Sequence, residues 1–197
     1  NRIIKNKIMR IVELLIDEEA ALSGIEAISI VDKPAIDENF IALSEQKKIQ
    51  LAEVDKEKKI LMGAALVPDK NIFRQDEQDG YYIYFSKDTV RQASELFLIN
   101  GNQNNATLMH DKAIKDMSVV ESWIIDNPEM DKSKEYGFSL PKGTWMISMK
   151  CNNDEIWSKV KAGEIKGFSI EGYFADKLSF VLELVRQSLP LAKALPV

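Results

Sequence analysis

Along this chain, short apolar runs with two-residue alternation outnumber segments whose apolar positions recur at helical spacing. Residues 8–16 are rich in β-branched side chains and read as a first strand. Residues 17–24 are acidic and small, suiting a loop or one helical turn. A second strand is predicted over 25–31. It closes at Asp32-Lys33-Pro34, where proline removes a ladder donor and pushes Lys33 into an extended conformation. Residues 40–43 add a short strand. Residues 49–54 and 59–67 flank a charged turn as a hairpin, and Pro68 ends its second arm. The polar stretch 69–80 predicts a surface loop, followed by an aromatic strand over 81–85.

The clearest helix spans 86–101. Ser86 can cap it, Asp88 lies in the first turn, Phe85 and Val90 suit a hydrophobic staple, and Asn100-Gly101 supplies a stop. Short strands are then predicted over 106–111, 117–125 and 143–151, with a long polar connection over 126–142. Asn153 caps a second helix over 154–162. Residues 166–174 form a further strand, and 176–189 a third helix that Pro190 ends. Many short strands, few helices and no regular βαβ rhythm predict an α+β fold, with a mainly antiparallel sheet or barrel and helices packed outside.

Composition narrows the function more than the fold. A net charge of −5 argues against a general nucleic-acid binder. The single Cys151 cannot form an internal disulfide, and no Cys/His cluster suggests a metal site or cofactor. No apolar run approaches the roughly 18 residues of a membrane span, and residues 1–15 lack the basic head and apolar block of a secretory signal.

The candidate chemistry centres on Lys166-Gly167-Phe168-Ser169-Ile170-Glu171-Gly172-Tyr173-Phe174. Strand periodicity puts Phe168, Ile170 and Phe174 on one face and Ser169, Glu171 and Tyr173 on the other. Ser169 is thus a candidate nucleophile on rigid backbone, although most strand serines are simply solvated. A base acting through an imidazole must be His110, since the chain has one histidine. Pattern alone favours a structural histidine. Several carboxylates could orient it. Glu121 lies in an otherwise apolar strand, where a buried charge needs a partner; an amphipathic strand would instead turn it to solvent. Glu171 and Asp176 are the reserves. Cys151 has no neighbours that would activate a thiol.

Several segments together resemble a known family. They are Ile28-Ser29-Ile30-Val31-Asp32-Lys33-Pro34-Ala35, Leu66-Val67-Pro68-Asp69 before Ile72-Phe73-Arg74, Tyr84-Phe85-Ser86, His110, Val120-Glu121-Ser122-Trp123, Gly143-Thr144-Trp145-Met146 and Lys166 to Gly172. Their order is similar to that of the XkdF-like phage serine proteases, which belong with the prohead maturation proteases of assemblin-like fold. The likeness covers roughly residues 25–176. It implies a protease domain over 25–176, with an N-terminal strand and extension over 1–24 and a C-terminal helix and tail over 177–197. It also implies a serine endopeptidase that cuts scaffold and capsid precursors, and often itself, in the host cytoplasm within the assembling procapsid. Self-association is expected, with no cofactor, metal, nucleic acid or membrane. On this resemblance the serine maps to Ser169 and the histidine to His110. Assemblin-type enzymes use a second histidine, which this chain lacks, so Glu121 of the Glu-Ser-Trp motif is the expected third member. The alternative is a catalytically silent structural or interaction protein of the phage head.

Overall fold

The computed structural model describes residues 10–17, 19–20, 23–43, 58–75 and 80–177. Its strands form three open four-stranded sheets. The first runs β12 (Ala175–Asp176), β1 (Ile11–Leu15), β6 (Gly80–Phe85), β5 (Ile72–Gln75). The second runs β3 (Ile41–Leu43), β4 (Ile60–Leu66), β10 (Trp145–Cys151), β9 (Met117–Ile124). The third, which carries the candidate site, runs β11 (Gly167–Tyr173), β2 (Gly24–Val31), β7 (Ala106–Leu108), β8 (Lys112–Ile114). Pairing is antiparallel except between β1 and β6 and between β2 and β7. The fold is α+β, as the element pattern predicts. The described ladders close no barrel.

One apolar core joins the sheets. Ile28 and Ile30 of β2, Met146, Ile147 and Met149 of β10, and Phe168 of β11 are fully buried. Helix α1 (Lys87–Ile99) packs against this core through Val90, Ala93 and Phe97, and the Phe97 ring meets Trp145 edge-on at 5.4 Å. Its start follows the predicted chemistry, with the Ser86 side chain accepting from the Thr89 N–H. Helix α3 (Asp154–Lys161) is capped by Asn153 and buries Ile156 and Trp157.

Local sequence misleads at several places. The predicted loop over 69–80 contains β5, whose burial reads one residue in and three out. Pairing with β6, not its own alternation, makes it a strand. The polar connection over 126–142 holds a short helix, α2 (Lys132–Glu135), capped by Asp131. The predicted strand over 106–111 stops at Leu108 and turns back into β8, so His110 sits on a turn. The first arm of the predicted hairpin, 49–54, lies outside the described residues; its second arm is β4, paired with β3 and β10. The helix expected over 176–189 lies outside them beyond Lys177, and Asp176 belongs to β12.

The sheet carrying Ser169 depends on one close approach. A Cβ placed on Gly172 would meet the Gly24 carbonyl oxygen at 2.1 Å, just where the β11–β2 register shifts after Glu171. Gly172→Ala is expected to cost about 1–3 kcal/mol, read as a lower urea midpoint. An unchanged midpoint would show that the bulge tolerates a side chain.

Candidate active site

The site is built from one face of the third sheet. Ser169 on β11 stands opposite Ser29 on β2, and Ser29 stands beside Thr107 on β7. Partnered residues share a face, so Ser169, Ser29 and Thr107 form a polar row across three strands. Glu171, two residues after Ser169 and ahead of the bulge, lies on the same face. The opposite face carries Phe168, Ile28 and Ile30, all buried in the core. The alternation that packs the core therefore also presents the polar row.

His110 arrives from the turn between β7 and β8. The Asp111 N–H donates to Leu108 O at 3.1 Å, and Met109 and His110 both have left-handed backbones, φ 52° and 60°. Two consecutive residues of this kind describe the turn that suits a right-twisted hairpin, a position usually given to glycine or asparagine. A non-glycine residue there costs roughly 1–2 kcal/mol. Two hydrogen bonds offset that cost. The Met109 N–H donates to Ile30 O at 3.1 Å, and the His110 N–H donates to Ser29 Oγ at 2.9 Å. The turn is thereby tied to β2 at the residue directly opposite Ser169.

The imidazole is oriented by Glu171. His110 Nδ1 lies 3.1 Å from Glu171 Oε1, and Thr107 Oγ1 donates to the same oxygen. An ionised carboxylate only accepts, so Nδ1 carries the proton in this contact and Nε2 is left as the basic nitrogen. Nε2 bonds no described residue. The His110 side chain is 44% exposed and that of Glu171 29%, so the pair sits at the surface of the sheet. Ser169 is 8% exposed, and its hydroxyl is held by no hydrogen bond to a described residue. A hydroxyl without a structural partner, an imidazole with a free basic nitrogen and an orienting carboxylate are the parts that acyl transfer requires.

The expected pairing of His110 with Glu121 gives way to a different contact. Glu121 lies on β9 in the second sheet, where Lys132 Nζ donates to Oε1 at 2.8 Å and Ser148 Oγ donates to Oε2. The Lys132 ammonium, and after it the Ser148 hydroxyl, hold the Glu121 carboxyl below the usual carboxylate range. The partner that a charge in an apolar strand needs is thus supplied on its own side of the fold. Asp176, paired with Leu14, belongs to the first sheet. Cys151 is fully buried, and that burial pushes its thiol pKa up, the reverse of what an attacking thiolate needs.

Two residues of this arrangement escape sequence reasoning. Ser29 and Thr107 look like ordinary strand hydroxyls. The available signal was Ser29 between two isoleucines, which forces the hydroxyl onto the face away from the core. Ser29→Ala leaves the His110 N–H without its acceptor and is expected to lower kcat about tenfold while KM stays within twofold. Steady-state peptide hydrolysis checks this; equal losses in kcat and KM would assign Ser29 another role.

Among the described residues, no group of three or more His, Cys, Asp or Glu side chains could hold a metal ion. No described helix is long and apolar enough to cross a membrane.

Comparison with known proteins adds an independent line. The chain is 26% identical over 162 residues to "Uncharacterized protein YqbD" of Bacillus subtilis (strain 168), covering 78% of this chain and 46% of that protein. It is 27% identical over 157 residues to "Phage-like element PBSX protein XkdF" of the same organism, covering 75% of this chain and 52% of that protein. The chain thus spans about half the length of the curated relatives it matches. No solved structure matches it. The family model described as "Putative phage serine protease XkdF" matches residues 48–178, a range that holds His110, Ser169 and Glu171, and the chain belongs to that family.

Proposed function

We propose that the chain is a serine endopeptidase that processes scaffold and capsid precursors within an assembling phage head, with Ser169 as nucleophile, His110 as general base and Glu171 as the orienting carboxylate. The observation that carries this reading is the contact between His110 Nδ1 and Glu171 on the strand, and the face of the strand, that bears Ser169. Family membership supports the reaction class. The catalytic unit in this reading spans residues 25–176.

In the first half-reaction Nε2 of His110 takes the Ser169 proton as Oγ attacks the scissile carbonyl. The C–O bond forms, the tetrahedral intermediate collapses, and the C–N bond breaks as Nε2 returns the proton to the leaving amine. Water then attacks the acyl-enzyme by the same route, regenerating Ser169 and releasing the carboxylic acid. Glu171 holds the imidazole through Nδ1 and stabilises the imidazolium, while Thr107 holds Glu171 in place.

Co-expression of a scaffold or capsid precursor with wild-type enzyme is expected to yield defined fragments by mass spectrometry, and none with His110→Ala. Identical fragments from both would remove His110 from the chemistry. Intact precursor with the wild type would favour the structural-protein alternative. The enzyme is expected to self-associate. A monomer by light scattering at high concentration would contradict that.

A further inference from the structure

The outer face of the first sheet carries an apolar row that the core does not use. Ile11 on β1 partners Tyr82 on β6, and Tyr82 partners Phe73 on β5. Partnered residues share a face, so the three side chains cross the sheet in line. The Phe73 and Tyr82 rings meet edge-on at 5.7 Å. The adjacent residues Val12, Ile83 and Ile72 point the other way and are buried. Ile11, by contrast, is 56% exposed and Phe73 50%. A contiguous apolar row left in water is the usual sign of a surface that another element covers.

The chain brings such an element to this face. Beyond β12 it reaches Lys177, whose Nζ donates to Glu13 Oε2 at 2.6 Å. Glu13 lies two residues from Ile11 on the same face, and the Tyr84 hydroxyl donates to the same oxygen at 3.1 Å. Residues 178–189 follow directly. Seven of these twelve residues are apolar, and Ser179, Glu183, Arg186 and Gln187 recur at helical spacing as one narrow polar stripe. A helix of that pattern needs a surface for its wide apolar side. Twelve residues of helix span about 18 Å. The three steps from β12 to β5 span about 14 Å. A helix leaving β12 therefore has the length to cross the row of Ile11, Tyr82 and Phe73.

We infer that the outer face of the first sheet is the docking surface for residues 178–189 of the same chain, laid as an amphipathic helix over Ile11, Tyr82 and Phe73. The dock bears on the strand that carries Ser169. β11 runs into β12 through Phe174, whose ring meets Phe85 edge-on at 4.8 Å, and β12 pairs with β1. A helix seated across β1, β6 and β5 thus clamps the end of β11, whatever chemistry Ser169 performs.

The test keeps the full chain. Phe73→Cys is combined in turn with Leu182→Cys, Val185→Cys or Leu189→Cys on the apolar side, and with Glu183→Cys or Arg186→Cys on the polar stripe. Mild oxidation and peptide mapping then read the disulfides. Because a disulfide needs Cβ atoms within roughly 4.5 Å, at least one apolar-side pair is expected to close within the monomer, about tenfold faster than either polar-stripe pair. Equal rates on both sides, or no closure at all, would overturn the dock. Disulfides joining two chains would overturn it in favour of a second copy on this face. Hydrogen exchange gives a second reading. Leu182→Asp is expected to speed exchange over 72–75, 80–85 and 173–177 about tenfold while α1 and β10 stay as they were. Unchanged rates in those segments, or a rise no larger than that in α1 and β10, would contradict the dock.

Discussion

Ser169→Ala is expected to lower kcat/KM for peptide hydrolysis by about 10⁴-fold or more, the scale on which a lost nucleophile acts. The same change should leave the melting temperature within about 1–2 °C. The Ser169 hydroxyl has no described hydrogen-bond partner, so removing it orphans nothing, and the neighbouring Phe168 and Ser29 keep their packing. That combination separates a catalytic serine from a structural one. A structural hydroxyl would cost stability and leave activity in proportion to folded protein. Peptide kinetics beside thermal unfolding of the same preparations make the check. Activity within tenfold of wild type would remove Ser169 from the chemistry.

The second large effect distinguishes two carboxylates. Glu171→Gln replaces an oxygen that only accepts with an amide that can also donate. The amide can turn its NH2 toward Nδ1 and stabilise the tautomer with the proton on Nε2, where it blocks the base. A loss of about 10³–10⁴ in kcat is expected, with KM little changed. Glu121→Gln should leave kcat within about threefold, since Glu121 is engaged by Lys132 and Ser148, away from the Ser169 sheet. The Glu121 side chain is 48% exposed, so loss of its ion pair should cost at most about 1 kcal/mol. The opposite ranking of the two variants would restore Glu121 as the third member and make the Glu171 contact incidental.

The reversal between these carboxylates shows what could be read from the residues and what could not. Alternation along β11 is enough to place Ser169 and Glu171 on one face, and the structure keeps them there. Ser86, Asn153 and the apolar spacing of α1 and α3 were legible for the same reason, being local chemistry. Partners drawn from separate strands were not legible. Whether Glu121 or Glu171 meets His110 depends on which strands share a sheet, and β9 pairs with β10, away from β11. The turn at His110 was hidden because neither Met109 nor His110 is a turn residue by type. Its left-handed backbone is held by Ser29, which is remote in sequence. The β5 strand was hidden likewise, since an exposed edge strand owes its form to β6. Family resemblance supplied the histidine and the serine, and geometry proposes the third member.

In the proposed mechanism His110, set by Glu171, activates Ser169. Labelling with a fluorophosphonate, followed by peptide mapping with mass spectrometry, tests it whatever the natural substrate is. One adduct is expected, on Ser169, abolished by unfolding and by His110→Ala, strongly slowed in Glu171→Gln and unchanged in Glu121→Gln. An unmodified Ser169 in the folded wild type, or equal labelling in His110→Ala, would contradict it.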